Sequence, residues 1–258
     1  MWGVARRLDV TAVGARWSRR VLGAAGVALV LLAWSIAASR WPPHVLPGPG
    51  VVAATLMRER EMLIAQLGRS AVRVVSGYGA AVVTALAAAA ALAVLPRLER
   101  PIAPVFALLR AIPPFAWTPL LLLWLGIGEG SAATVVFLGA FFPILALARA
   151  GVAGVPPSWV AAAENLGAGR RDIVVRVVLP SALPSIFTGL RLGWTVAWMS
   201  VVAAELVGAD GGLGQLILDA RNLARPDLAL VGMGVIGAVA AGSDAVFGLA
   251  ERRVLRWR

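Results

Sequence analysis

Residues Trp159–Arg191 read WVAAAENLGAGRRDIVVRVVLPSALPSIFTGLR. Arginine, glycine and proline punctuate this stretch between long apolar runs. Charged side chains and broken backbone are costly where no water can reach them, so the stretch must lie outside lipid. It divides the molecule into membrane-embedded runs and a polar surface presented to something else.

The sequence on either side fits that division. Sixty percent of the residues are hydrophobic and the mean hydropathy is +0.84. Runs of about 20 residues rich in Leu, Val and Ala define an all-α, polytopic membrane protein. They fall at about 21–39, 71–95, 104–126, 131–149, 185–207 and 228–250. A cleaved signal peptide competes for the first run. That run is long for a signal, and Trp41-Pro42-Pro43 is not a small-residue cleavage site. The formal net charge of +11 does not indicate nucleic acid. The arginines cluster at the ends of apolar runs, and no basic face is interleaved with aromatics.

Six spans put the N-terminus, the 96–101 turn, the long segment before 185 and the C-terminal tail on one side. That side carries 15 of the 24 arginines, counting Arg149 at its edge. The other side holds Arg40, Arg58, Arg60, Arg69, Arg221 and Arg225, partly offset by Glu59, Glu61, Asp210, Asp219 and Asp227. The basic side is expected to be cytoplasmic, with both termini there. The expected organisation is a cytoplasmic segment 1–20, a first transmembrane helix 21–40 and an extracytoplasmic segment 41–68. A membrane core 69–250 follows, with a cytoplasmic loop 151–184, and then a tail 251–258. Within 41–68, four prolines bar a helix at first. Val52, Leu56, Leu63 and Leu67 then oppose Arg58, Glu59, Arg60 and Glu61, the pattern of a helix lying at the interface.

Absences narrow the chemistry. There is no lysine, so the chain cannot carry a Walker-type phosphate loop. There is no cysteine, and the one histidine, His44, sits in the rigid stretch WPPHVLPGPG. Metal sites and Ser-His-Asp chemistry are not indicated, and a membrane enzyme lacks its clustered nucleophile or acid–base pair. No internal repeat is present of the kind that secondary transporters show.

Within the opening stretch, Pro156 and Pro157 stop what precedes them, and Ser158 is the expected N-cap of a short helix. Trp159, Ala162, Ala163 and Leu166 share one face of it. Gly167 and Gly169 end it, as glycine suits the left-handed backbone of a helix terminus. A second short helix carries Ile173, Val174, Val177 and Val178 on one face, with Arg170, Arg171 and Arg176 elsewhere. Pro180 and Pro184 are expected to turn the chain back to the membrane. Such an element fits a groove on a soluble partner, or folds on itself as a solvated loop.

The segment Ala161–Pro180, AAAENLGAGRRDIVVRVVLP, resembles the EAA loop of type I ABC importer permeases. Ala162, Ala163, Gly167, Leu179 and Pro180 stand at the family's spacing. The family's leading glutamate falls on Ala161. With Ser158 as N-cap, that position is the one from which glutamate completes a capping box, at a cost of about 1 kcal/mol or less when absent. Glu164, one turn on, offsets part of the helix dipole. LPGPGVVAATL (46–56), Arg110-Ala111-Ile112-Pro113, Pro119, LLLWLGIG (121–128), LPSALPSIFTGLRLGW (179–194), Glu205 and GADGGLGQLILDARN (208–222) resemble permeases for sulfonate, taurine and nitrate.

The resemblance implies an ABC transporter type-1 (MetI-like) permease fold in a bacterial inner membrane. It implies a homodimeric core bound by two ATPases, which hold the ATP and Mg, so that this chain binds no cofactor and catalyses nothing. It also implies an extracytoplasmic solute-binding protein, and a coupling loop comprising Trp159, Ala161, Ala162, Ala163, Glu164, Leu166, Gly167, Arg170, Leu179 and Pro180. Relatives that carry vitamin precursors leave a second solute class open, and a self-contained secondary transporter is the rival outside the family.

Inside the membrane runs, Arg110, Pro113, Pro119, Arg191 and Glu205 are candidates for the pathway or its gate. Pro113, Pro114 and Pro119 each remove a backbone bond, so freed carbonyls line a path or the helix merely kinks. Arg110 and Arg191 are placed where long side chains snorkel or meet an anion. Glu205 needs a partner to be tolerated in lipid, and so does Asp244. Trp194 and Trp198, one turn apart, read as packing.

Overall fold

The computed structural model describes residues 10–95, 97 and 99–254. The expected arginines at Arg6 and Arg7, and those of the tail at Arg256 and Arg258, lie outside the described residues, as do Pro96 and Leu98 of the 96–101 turn. Among the described residues the chain is helical and contains no strand. Helix α1 covers Val10–Arg40, α2 Pro49–Arg58, α3 Arg60–Val94 and α4 Glu99–Ala111. A 3-10 turn over Pro114–Trp117 leads into α5, Thr118–Leu125. Then come α6 (Glu129–Ala153), α7 (Pro157–Asn165), α8 (Arg170–Ile173), α9 (Leu179–Gly208), α10 (Leu213–Asn222) and α11 (Pro226–Val254).

Among the described residues, four helical stretches are long and apolar enough to cross a bilayer: Arg60–Val94, Glu129–Ala153, Arg170–Gly208 and Pro226–Val254. The expected third run is not a straight span. It is two short helices bent by 87° at Pro113. Helix α5, with 8 residues, is about 12 Å long, far short of a bilayer core. The first expected span falls in α1, whose described apolar part is Ala25–Arg40. Helix α1 meets chiefly α2, where Trp34 Nε1 donates to the Pro47 carbonyl at 3.1 Å.

Helices α3, α6 and α9 form the core. Their facing positions are small and spaced by four: Gly77, Ala81, Ala85 and Ala89 on α3, and Gly189, Gly193 and Ala197 on α9. Small residues let backbones approach where lipid supplies no hydrophobic drive between helices. A Cβ on Gly193 would stand 2.7 Å from Ile144 Cγ1 of α6, so the contact requires glycine. Many other large apolar side chains point outward. Leu123, Val72, Val83 and Met199 are all exposed, as lipid-facing residues should be. Trp194 packs edge-on against Tyr78 at 5.0 Å and against Trp198 at 6.3 Å, so the pair serves packing.

At the far end of the bundle from α7, Leu63 joins Leu213, Leu216, Ala220, Leu228 and Val231 in a second apolar cluster. The amphipathic segment expected over 51–68 is therefore split. Helix α2 is the separate short helix, whereas residues from Arg60 onward already belong to α3, and Leu63 is buried. His44 lies exposed in the turn between α1 and α2.

Candidate coupling surface and buried charge network

The polar stretch folds into an elbow. Helix α7 begins two residues earlier than its sequence suggests. Pro156 is the N-cap, Pro157 occupies the first turn, and Ser158 makes no capping bond. Ala161 is thus one turn inside the helix rather than at the capping-box position, so glutamate would close no box there. The C-terminus follows expectation at Gly167. With Leu166 as C-cap, the Gly167 N–H donates to the Glu164 carbonyl at 2.9 Å and Ala168 N–H to Ala163 at 3.0 Å. These two bonds are the Schellman motif, and Gly167 takes the left-handed φ of +82° that it requires. Gly169 does not share that role. Its φ of −71° is extended, and it precedes α8.

The second half of the elbow is not a separate helix. A π-helical turn over Val174–Val178 joins α8 to α9, with the Leu179 N–H donating to the Val174 carbonyl. Pro180 has no N–H for the Arg176 carbonyl, and widening the ladder by one residue accommodates the ring. The chain therefore passes Pro180 and Pro184 without turning, and Arg170–Gly208 is a single 39-residue stretch. Ile173 is buried, Val177 and Val178 half-buried, and Val174, Leu179 and Arg170 exposed. On α7 no residue is buried. Trp159 is 55% exposed and Leu166 88%, with Ala162 open and Ala163 half-covered between them.

Among the pathway candidates, Pro113 is the hinge of the 87° bend. Pro114 opens the 3-10 turn and Pro119 opens α5, positions where no intrahelical bond is due. The freed-carbonyl expectation therefore does not hold for these prolines. Next to them the Thr118 hydroxyl is buried with no protein partner. Arg191 is not a free cation. It forms a bidentate pair with Asp244 of α11, through Nε and through Nη2 at 2.5 Å, so each answers the other's charge. Arg110 is exposed at the last turn of α4.

Glu205 is fully buried and fully answered. Its carboxylate accepts from Ser70 Oγ at 2.8 and 3.0 Å, from the Gly214 N–H at 2.8 Å and from Arg73 Nη1 at 2.9 Å. Arg73, also wholly buried, reaches Glu129 on its other edge through Nε at 2.9 Å and Nη2 at 2.7 Å. Glu129 is 60% exposed at the start of α6. Arg73 Nη1 further donates to the Gly211 carbonyl at 2.6 Å, and Gln66 accepts from the Gly212 N–H at 2.6 Å. The 209–212 turn is thus clamped onto α3. Gly211 and Gly212 take φ of +106° and +107°, and a Cβ on Gly212 would strike the Glu205 carboxylate.

Arg73 was no sequence candidate. The signal was present, an arginine inside an apolar run with an acidic residue in another run, which calls for pairing the two. A third polar contact ties α2 to the start of α11. Thr55 donates to Asp227 at 2.8 Å, and Arg225 bridges Asp227 and Glu59. Those two carboxylates, Asp227 first, raise the Arg225 pKa above its ordinary value.

The structure is thus a helical membrane bundle braced by paired buried charges at one end, with an open helical elbow at the other. Residues 81–256 match the family described as binding-protein-dependent transport system inner membrane component, and the chain belongs to that family. It is 34% identical over 254 residues to the taurine transport system permease protein TauC of Escherichia coli, covering 94% of this chain and 92% of that one. It is 32% identical over 206 residues to the nitrate import permease protein NrtB of Synechococcus elongatus, covering 75% and 74%. The fold matches that of an inward-facing MetNI methionine ABC transporter with a TM-score of 0.61, at 21% identity, over 77% of this chain and 97% of that one. The molecule is a permease subunit of an ABC importer.

Proposed function

We propose that this subunit forms, as a homodimer, the path of an importer for a small anion of the sulfonate, taurine or nitrate kind. Two ATPase subunits dock on α7, and a solute-binding protein docks at the opposite end. The open apolar face of α7, ended by the Schellman turn at Gly167, carries this reading. A helix that shows Trp159 and Leu166 to solvent beside Arg170 and Arg171 suits a groove with an apolar floor and an acidic rim. The α7 end is then cytoplasmic, in keeping with the arginine distribution.

In this mechanism ATP and Mg are held by the partner, since the chain has no lysine for a phosphate loop. Closure of the ATPases moves α7, and Ile173, buried against the bundle, passes the displacement into the continuous stretch Arg170–Gly208. The paired permeases open outward to receive solute, and hydrolysis restores the inward state. The solute class rests on the relatives named for taurine and nitrate.

The experiment is to replace Gly167 with valine, co-express the ATPase and measure both co-purification and ATP-dependent uptake. Loss of the ATPase from the purified complex is expected, and undiminished assembly with full uptake would refute α7 as the coupling helix. The solute is tested by identifying what the cognate binding protein retains on purification; an uncharged sugar there would refute an anion.

A further inference from the structure

The α7 end of the bundle contains a second feature that no role above uses. A cavity of about 470 Å3 lies between α3, α4 and α6 and one of about 140 Å3 between α4 and α6, and they share Arg110, Ala146 and Arg149. They are two lobes of one groove meeting at those residues. Ala89, Leu92 and Ala150 line the larger lobe, and Phe106, Ala107 and Phe142 the smaller. The combined size falls in the range of small-molecule sites, which are mostly apolar with a few polar groups that set orientation.

We infer that this groove is a binding station for a small organic anion, with Arg110 holding the charged group and the alanine-lined lobes taking the apolar part. The composition of the walls supports an occupant. Alanines at Ala89, Ala107, Ala146 and Ala150 leave space that a leucine at any of them would fill. Arg110 lies beside that space, and among the described residues no carboxylate pairs with it, whereas Arg73 and Arg191 are both bound by acids. The planar guanidinium fork matches a sulfonate, carboxylate or phosphate oxygen pair better than a point charge does. Arg149 lines both lobes beside it. A solute released toward the α7 end would meet this groove as it leaves the bundle. The inference deepens the proposed function, on which its choice of a transported anion rests. An anionic lipid headgroup offers the same oxygens and is the competing occupant.

The test uses the full-length permease purified with its ATPase in uncharged detergent, with radiolabelled hexanesulfonate as the probe. Saturable binding is expected, weakened about tenfold or more in Arg110→Gln, the order of one charge-assisted bond. Arg110→Lys keeps the charge but loses the fork, so it should recover only part of it. Arg110 is exposed, so both variants should keep the wild-type melting profile. Equal binding in Arg110→Gln, or no saturable binding to wild type, overturns the site. Native mass spectrometry with phosphatidylglycerol separates the two sources. Retained phospholipid that depends on Arg110 and is not displaced by hexanesulfonate makes the groove a lipid site and overturns the solute reading. Taurine uptake is measured in parallel. Uptake without hexanesulfonate binding refutes this station and leaves the importer assignment intact; Arg110-dependent binding without taurine uptake supports the station and counts against taurine as the solute.

Discussion

The two ends of the bundle solve opposite problems. At the Glu205 end, two acids, an arginine, a serine and three backbone groups are drawn into one saturated network around the 209–212 turn. At the α7 end, no side chain of the helix is buried and its shape comes from backbone alone, through Gly167 and two capping bonds. The first arrangement resists change, because removing either Arg73 or Glu205 breaks a buried ion pair. The second resists very little, because its side chains are open to the surroundings and no packing holds them. Under the proposed function, this asymmetry gives the α7 end a rigid far end to work against.

The largest break in that contrast is expected at Arg73. Replacing it with methionine leaves Glu205 buried without its cation, at an expected cost of about 3–5 kcal/mol. Thermal unfolding of the purified subunit in detergent should show the loss, and a variant as stable as wild type would mean the network does not brace the bundle. The double variant Arg73→Met with Glu205→Leu sharpens the point. It removes both charges, so it should recover a good part of that cost while the 209–212 turn stays loosened to proteolysis.

Gly214→Ala is expected to cost less. The new Cβ would lie 2.6 Å from the Val202 carbonyl oxygen and 2.7 Å from Glu205 Cβ, and backbone is a poor neighbour to displace. Overpacking of this kind costs about 1–3 kcal/mol. Denaturant unfolding in mixed micelles provides the measurement. Gly167→Val at the other end forces a β-branched residue into φ +82°, a local cost of about 1–2 kcal/mol. It should leave the melting temperature of the bundle nearly unchanged while weakening ATPase retention. A large drop in melting temperature there would show the elbow to be part of the rigid core.

Much of this architecture was legible in the sequence because its causes are local. Apolar run length marked the membrane helices, and glycine before a polar stretch marked the Schellman turn at Gly167. What was not legible depends on competition between neighbouring helix signals or on contacts between distant segments. Ser158 looked like an N-cap, yet the tandem Pro156-Pro157 started α7 first. Pro180 looked like a breaker, but the π-turn absorbed it. The 104–126 run looked like one span because composition does not register a right-angle bend. Arg73 escaped notice because its partners, Glu129 and Glu205, lie 56 and 132 residues away in sequence.

The smallest effect on stability should come from Trp159→Ala, and that smallness is informative. Trp159 is 55% exposed on a helix with no buried side chain, so removing its ring leaves no cavity and strands no polar group. Changes at such positions stay within about 0.5 kcal/mol. An exposed tryptophan on a docking face, by contrast, is the type of residue that dominates binding, with losses of about 2 kcal/mol or more on truncation. The variant should therefore melt with wild type yet release the ATPase at concentrations where wild type retains it, measured by size-exclusion chromatography of the mixed subunits. Destabilisation without loss of ATPase would invert the contrast between the two ends, placing Trp159 in the fold and the coupling contact elsewhere. Because stability and association are predicted to part company at this one residue, it separates a surface kept open for a partner from one that merely faces water.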